Sequence, residues 1–105
     1  MSHCLFCDII SKKIPAKVIY EDNEIIAFND INPKAEVHFM VIPKLHMDSM
    51  LQLEDSHINL IGKMMFLANK IAKEQKLEGY KLQVNTGKKG GQEVFHLHIH
   101  VFGNL

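Results

Sequence analysis

The sequence predicts an α+β fold, an antiparallel sheet of about five strands with one long helix packed on one face. Three observations carry this. Five short segments alternate or run apolar at strand length between Gly, Pro, Asn and Asp residues. One segment, residues 54–77, repeats its apolar residues at spacings of three and four. The chain has 105 residues, 47% hydrophobic and 23% charged, which suits a single domain over 1–105 with one core. That composition excludes a disordered chain, and no apolar run approaches the ~20 residues of a membrane-spanning helix. The start, Met1-Ser2-His3-Cys4, lacks the pattern of a secretory signal. The expectation is a cytoplasmic protein with no membrane partner.

The elements follow in order. Phe6, Ile9 and Ile10 share one face of a short helix over 4–13, stopped by Pro15. Residues 18–21 read as a strand, Asp22-Asn23 as a turn and 24–28 as a second strand, making a hairpin. Residues 30–34 form a loop. Residues 38–42, nearly all apolar, read as a mid-sheet strand that Pro43 ends. In the helix over 54–77 the apolar face is Ile58, Ile61, Met64, Met65, Ala68, Ile71 and Ala72. Glu54 and Asp55 suit its positive end, Lys73 and Lys76 its negative end, and Gly79 its stop. Met40, Met64 and Met65 are expected in the core; His3 and His57 are expected to be solvated. Residues 80–84 alternate as a strand, 87–91 form a loop rich in Gly and Lys, and 94–102 form the last strand.

Twelve acids balance twelve bases, and every base is lysine. The lack of arginine, the usual reader of guanine and clamp of phosphate, argues against a nucleic-acid partner. The pairs Lys12-Lys13 and Lys88-Lys89 are too small to make a basic patch. Cys4 and Cys7 stand at CxxC spacing, which reads as a metal site, a redox dithiol or two bystanders.

Chemistry concentrates in the last strand. A period of two puts His96, His98 and His100 on one face and Phe95, Leu97, Ile99 and Val101 on the other. Folding does not require three imidazoles on a polar face. The first and third lie ~13 Å apart along the backbone, so one metal could hardly take all three and their roles must differ. A solvated strand, a metal site on one HxH pair and catalysis by a nucleophile with a proton-donating partner are all compatible with the spacing.

The run His96-Leu97-His98-Ile99-His100-Val101-Phe102 resembles the signature of the histidine triad (HIT) superfamily. The resemblance extends in order through Lys13-Ile14-Pro15-Ala16, 27–33, 38–44, Gly79-Tyr80, Val84-Asn85-Thr86-Gly87 and 90–94, nearly filling the chain, and it is to the bacterial type of the Hint-like branch. It implies a HIT-like fold in which two copies join five-stranded sheets into one of ten. It also implies a purine nucleotide ligand of the AMP or GMP type. His98 would attack the α-phosphorus to form a nucleotidyl-histidine, which water then hydrolyses, with an amine as the usual leaving group. The function implied is a nucleoside phosphoramidase. A dinucleoside polyphosphate hydrolase of the same superfamily and a non-catalytic nucleotide- or zinc-binding interaction protein remain open as other readings.

The resemblance also assigns roles. His96, through its carbonyl, would hold the ring of His98, whose reactive nitrogen must stay free. His100 and Asn85 would donate to phosphate oxygens, joined by main-chain N–H groups at Gly91 and Glu93, with Gln92 in the same binding segment. Many Hint-like proteins carry Ser or Thr where Glu93 stands; a carboxylate repels phosphate, so Glu93 is expected to contribute its backbone. Asp30 would accept from the ribose hydroxyls. Ile31, Phe28 and Ile10 would line the base pocket, although Phe28 also suits plain core. His38 would lie beneath the triad. Finally, Pro43-Lys44-Leu45-His46 is similar to a segment of zinc-bearing HIT proteins, which implies structural zinc on Cys4, Cys7, His46 and His96.

Overall fold

A computed structural model of the chain describes residues 4–105; His3 lies outside them. Helix α1 spans Leu5–Ile10, strands β1 to β3 span Val18–Glu21, Ile25–Asn29 and Val37–Pro43, helix α2 spans Ile58–Glu74, and strands β4 and β5 span Tyr80–Gln83 and Ile99–Gly103. All neighbours in the sheet are antiparallel, in the order β1-β2-β3-β5-β4. Asp22 makes the first hairpin tight: its carboxylate accepts from the N–H groups of Glu24 and Ile25 at 2.7 and 2.8 Å.

The sheet is covered on both faces, which is why β2 and β3 are almost continuously apolar. Ile25, Ala27, Phe39, Val41, Ile99 and Val101 pack under α2 against Met64, Leu67, Ala68 and Ile71. Ile26, Phe28, Met40 and Ile42 point the other way and pack against Phe6 and Ile9 of α1. Each buried Val, Leu, Ile, Phe or Met among them contributes roughly 1.5–3 kcal/mol. Because α1 is short, it covers only the β2–β3 side of its face. The register aligns Phe28, Met40, His100 and Gln83 in one row across four strands. Paired residues share a face, so this row grades from aromatic to polar as it leaves the cover of α1.

The edge strand β1 is irregular. Its register shifts between Val18 and Tyr20, and Glu21 is clasped by Lys12 at 2.9 Å and Lys44 at 2.7 Å.

The structure corrects several expectations. The last strand begins at Ile99, not at residue 94: Leu97 N–H donates to the Met47 carbonyl at 2.7 Å, so residues 94–98 are held by a loop and not by the ladder. Phe95 is exposed in consequence. Helix α2 is shorter than 54–77; residues 55–57 form a tighter turn before it. Its end is a Schellman motif, with Leu77 N–H on the Ala72 carbonyl and Lys76 N–H on the Lys73 carbonyl, and Lys76 takes the left-handed φ of 60° that glycine usually fills. The helix therefore stops well before Gly79. Met65 and Ile58 are not core: they are 47% and 68% exposed, together with Phe66 at 66%, while Leu67 takes the buried place. The apolar residues of α2 thus form two stripes, one on the sheet and one on the outside.

Candidate functional site

Two groups of polar side chains meet at the start of β5. The first joins α1, the segment after β3, and the loop before β5. Cys4 caps α1, its Sγ accepting from Cys7 N–H at 3.2 Å. The thiols of Cys4 and Cys7 lie 3.2–3.6 Å from Nδ1 of His46 and Nδ1 of His96. The opposite nitrogens are already committed. His96 Nε2–H donates to the Pro43 carbonyl, and His46 Nε2–H donates to the Asp48 carboxylate, both at 2.7 Å. These partners only accept, so both Nδ1 atoms carry bare lone pairs, and they face each other 3.1 Å apart. Two lone pairs so placed call for a cation between them. Tetrahedral zinc with bonds of ~2.0–2.3 Å has donor–donor edges of roughly 3.3–3.8 Å, close to those found. The four residues fit zinc, and the held Nε2–H groups are the outer partners that such ligands need. Burial, then the neighbouring Cys4, raises the Cys7 thiol to about 11 without a cation; bound metal reverses that by stabilising thiolate.

The second group lines a cavity of about 600 Å³ beside α1. His98 is buried, and its Nδ1–H donates to the His96 carbonyl at 2.7 Å. That fixes the tautomer and leaves Nε2 with its lone pair free. His100 is oriented by a chain that starts in the main chain: Lys34 N–H donates to His38 Nδ1 at 3.1 Å, so His38 Nε2 carries hydrogen and donates to His100 Nδ1 at 3.0 Å. His100 must then carry its own hydrogen on Nε2, as a donor. One imidazole offers a lone pair and its neighbour an N–H, with ring centroids 4.7 Å apart. Burial lowers the pKa of His38, His96 and His98, and lowers His100 to about 4 with help from His98 and His38. Burial thus favours the uncharged form of each triad histidine. Nucleophile and hydrogen-bond donor coexist without mutual repulsion.

Other walls grade in polarity. Phe6, Ile9, Ile14 and Phe28 make an apolar slot, with Phe6 edge-on to Phe28 at 5.5 Å and to His98 at 5.1 Å. Asp30 and the 90%-exposed Ile31 stand at its rim. Asn32 N–H holds Asp30 Oδ1 at 2.8 Å, and Oδ2 lies 3.4 Å from His38. Asn85, Gly91 and Glu93 line the opposite wall.

Residues 3–104 match the family described as "Scavenger mRNA decapping enzyme C-term binding". "Protein HitA" of Neisseria gonorrhoeae is 52% identical over 104 residues, covering 98% of this chain and 97% of that protein. The chain belongs to the histidine triad superfamily. A "14 kDa zinc-binding protein" of Zea mays is 40% identical, over 97% of this chain and 82% of its own length. The crystal structure of a HIT family hydrolase from Legionella pneumophila superposes with a TM-score of 0.95 at 40% identity, covering 98% of this chain and 94% of that one.

The histidine triad is thus not one polar face. His96 turns to the metal set, while His98 and His100 turn to the cavity, because residues 94–98 leave the strand. Two candidate contacts are corrected. Ile10, the last residue of α1, packs partly buried against the core and is not part of the cavity wall, where Ile9 stands instead. Gln92 is buried away from the cavity, its amide stapling the loop through Gly87 N–H, the Asp48 carbonyl and the Val94 carbonyl. Phe28 is both core and cavity wall. Sequence reasoning missed Phe6, Ile9, Ile14, Lys34 and Gln83 as lining residues. The apolar face of α1 was a usable signal for the first two, since a short amphipathic helix must cover something.

Proposed function

We propose that this HIT protein is a purine nucleotide hydrolase or transferase acting at the α-phosphate, and specifically a nucleoside phosphoramidase. The single observation that carries the reading is the fixed pair of tautomers, a bare Nε2 on His98 beside an N–H on His100. The apolar slot suits a purine and Asp30 Oδ2 suits ribose hydroxyls, which brings the α-phosphorus to His98. His98 Nε2 forms the bond to phosphorus while the P–N bond breaks. The nitrogen keeps the bond pair, takes one proton from solvent and leaves as an amine. His100 Nε2–H and Asn85 donate to the phosphoryl oxygens as charge builds, each worth roughly 10²–10³ in rate. Water then bonds to phosphorus, the pair returns to Nε2, and one proton returns to solvent. The description of the Legionella relative as a hydrolase supports the reaction class, and that of the maize relative supports zinc on Cys4, Cys7, His46 and His96. Zinc there serves as a structural pin. Mass spectrometry of protein quenched during turnover should find a nucleotidyl adduct on His98. Parallel assays with a diadenosine polyphosphate distinguish the other hydrolase reading.

Residues 1–105 are proposed as one HIT domain, working in the cytoplasm, where paired zinc thiolates stay reduced, and with neither nucleic acid nor membrane as partner. No helix among the described residues is long and apolar enough to cross a membrane. A homodimer is proposed through the β4 edge. The outer stripe of α2 (Ile58, Met65, Phe66) shares its face with Asn69, which accepts from Tyr80 of β4 at 2.6 Å, so exposed apolar surface adjoins an unpaired strand edge.

A further inference from the structure

The row Phe28, Met40, His100, Gln83 ends on β4, at the side of the cavity farthest from the apolar slot. With a base at the Phe28 end and phosphorus at His98 and His100, the departing group passes over Gln83. The orientation of its amide is determined. The Gly90 carbonyl can only accept, so Asn85 must present Nδ2 to it, at 3.0 Å. Asn85 Oδ1 then faces Gln83, which must present Nε2 to it, also at 3.0 Å. One main-chain carbonyl therefore fixes two amides in sequence. The oxygen of Gln83, Oε1, is left without a partner among the described residues on an exposed side chain that lines the cavity.

We propose that Gln83 is a specificity-determining residue, its Oε1 accepting from the N–H of a leaving group and so selecting P–N over P–O substrates. This rests on the reading of the site as a nucleotidyl-transferring centre and names what that centre releases. As the P–N bond breaks and the nitrogen takes up its proton, the N–H becomes more positive. The hydrogen bond to Oε1 strengthens at that moment, so it acts on the transition state. A departing phosphate or phenolate offers no N–H and turns lone pairs toward Oε1.

The test measures kcat/KM for an adenosine 5′-N-alkylphosphoramidate and for adenosine 5′-phenyl phosphate in wild type, Gln83→Met and Asn85→Ala. Losing a hydrogen bond to a charge-bearing donor should lower the amide-to-ester ratio by about 10- to 100-fold in Gln83→Met. Whatever is lost through a displaced Asn85 is lost on both substrates and cancels from the ratio. Asn85→Ala should lower both rates, as expected of a donor to the shared phosphoryl group, and, because it frees the Gln83 amide, should lower the ratio by no more than Gln83→Met does. An unchanged ratio in Gln83→Met overturns the inference while leaving the catalytic reading in place, and so does a ratio that falls further in Asn85→Ala than in Gln83→Met. Wild type that cleaves neither substrate, with no adduct on His98, overturns the catalytic reading itself.

Discussion

Replacing Cys4 and Cys7 together by serine should remove zinc and expose how much of the fold it holds. The four ligands come from α1, the segment after β3 and the loop before β5, so the metal joins three stretches of chain. Without it, His46 and His96 keep lone pairs 3.1 Å apart, and His96 is fully buried. The donors left beside them, a thiol S–H or a serine hydroxyl, match these two nitrogens less well than a cation does, a loss of about 1–3 kcal/mol. The N-terminal anchor of α1 is also lost, weakening the burial of Phe6 and Ile9 against Phe28 and Met40, at a further one or two kcal/mol, about one side chain's worth. A total of roughly 2–5 kcal/mol, at about 4 °C per kcal/mol for a domain of this size, gives a fall in Tm of about 8–20 °C. Elemental analysis should find one zinc per wild-type chain and none in the double variant. In thermal unfolding followed by circular dichroism, a chelator should bring wild type down to the variant and leave the variant unchanged. Wild type that holds no zinc after reconstitution, or that melts at the same temperature with chelator, would refute the reasoning.

His98→Ala should fold yet turn over at less than about a thousandth of wild type, since no other side chain supplies the nucleophile, while His100→Ala should lose roughly 10²–10³. Steady-state assays check both, and an active His98→Ala ends the mechanism. The acid limb of kcat/KM should lie below pH 6.5: burial lowers the pKa of His98, the neutral ring is the reactive form, and it is lost only as pH falls through that lowered value. Zinc on His96 adds positive charge that acts in the same direction, so a limb above pH 7 contradicts the assignment. Gly103→Ala should destabilise by about 1–3 kcal/mol, because its Cβ would stand 2.5 Å from Leu77 Cδ1. Leu77→Ala should recover much of that in the double variant, and strictly additive losses in denaturant unfolding would refute the clash.

The legible parts of the sequence were those set by local pattern. The hairpin around Asp22, the apolar β3 and the sheet-facing stripe of α2 follow from period and turn chemistry. What was not legible depends on tertiary partners. Residues 94–98 alternate as a strand should, but the Met47 carbonyl and the metal set hold them off the ladder, so period two failed at His96. Ile58 and Met65 fall on a second apolar stripe that no spacing rule separates from the first. Lys76 ends α2 in a conformation associated with glycine. At the site, the resemblance placed His98, His100, Asp30, Asn85 and the four zinc ligands where the geometry brings them together. It put Ile10 for Ile9 because only the three-dimensional seat of α1 decides which side faces in. It gave Gln92 to the binding segment, where its amide staples the loop, because a loop staple cannot be told from a ligand contact in sequence.

The uneven β1 edge has a consequence for how far copies of this chain can associate. A regular sheet with two open edges is a template at both ends, and successive additions build a fibre. Here the slipped register and the lysines clasping Glu21 deny one edge to any incoming strand. A chain with one usable edge can be joined once, by a second copy turned about a two-fold axis, and the union buries the only edge either could offer. If two copies join as proposed, growth would then stop at two.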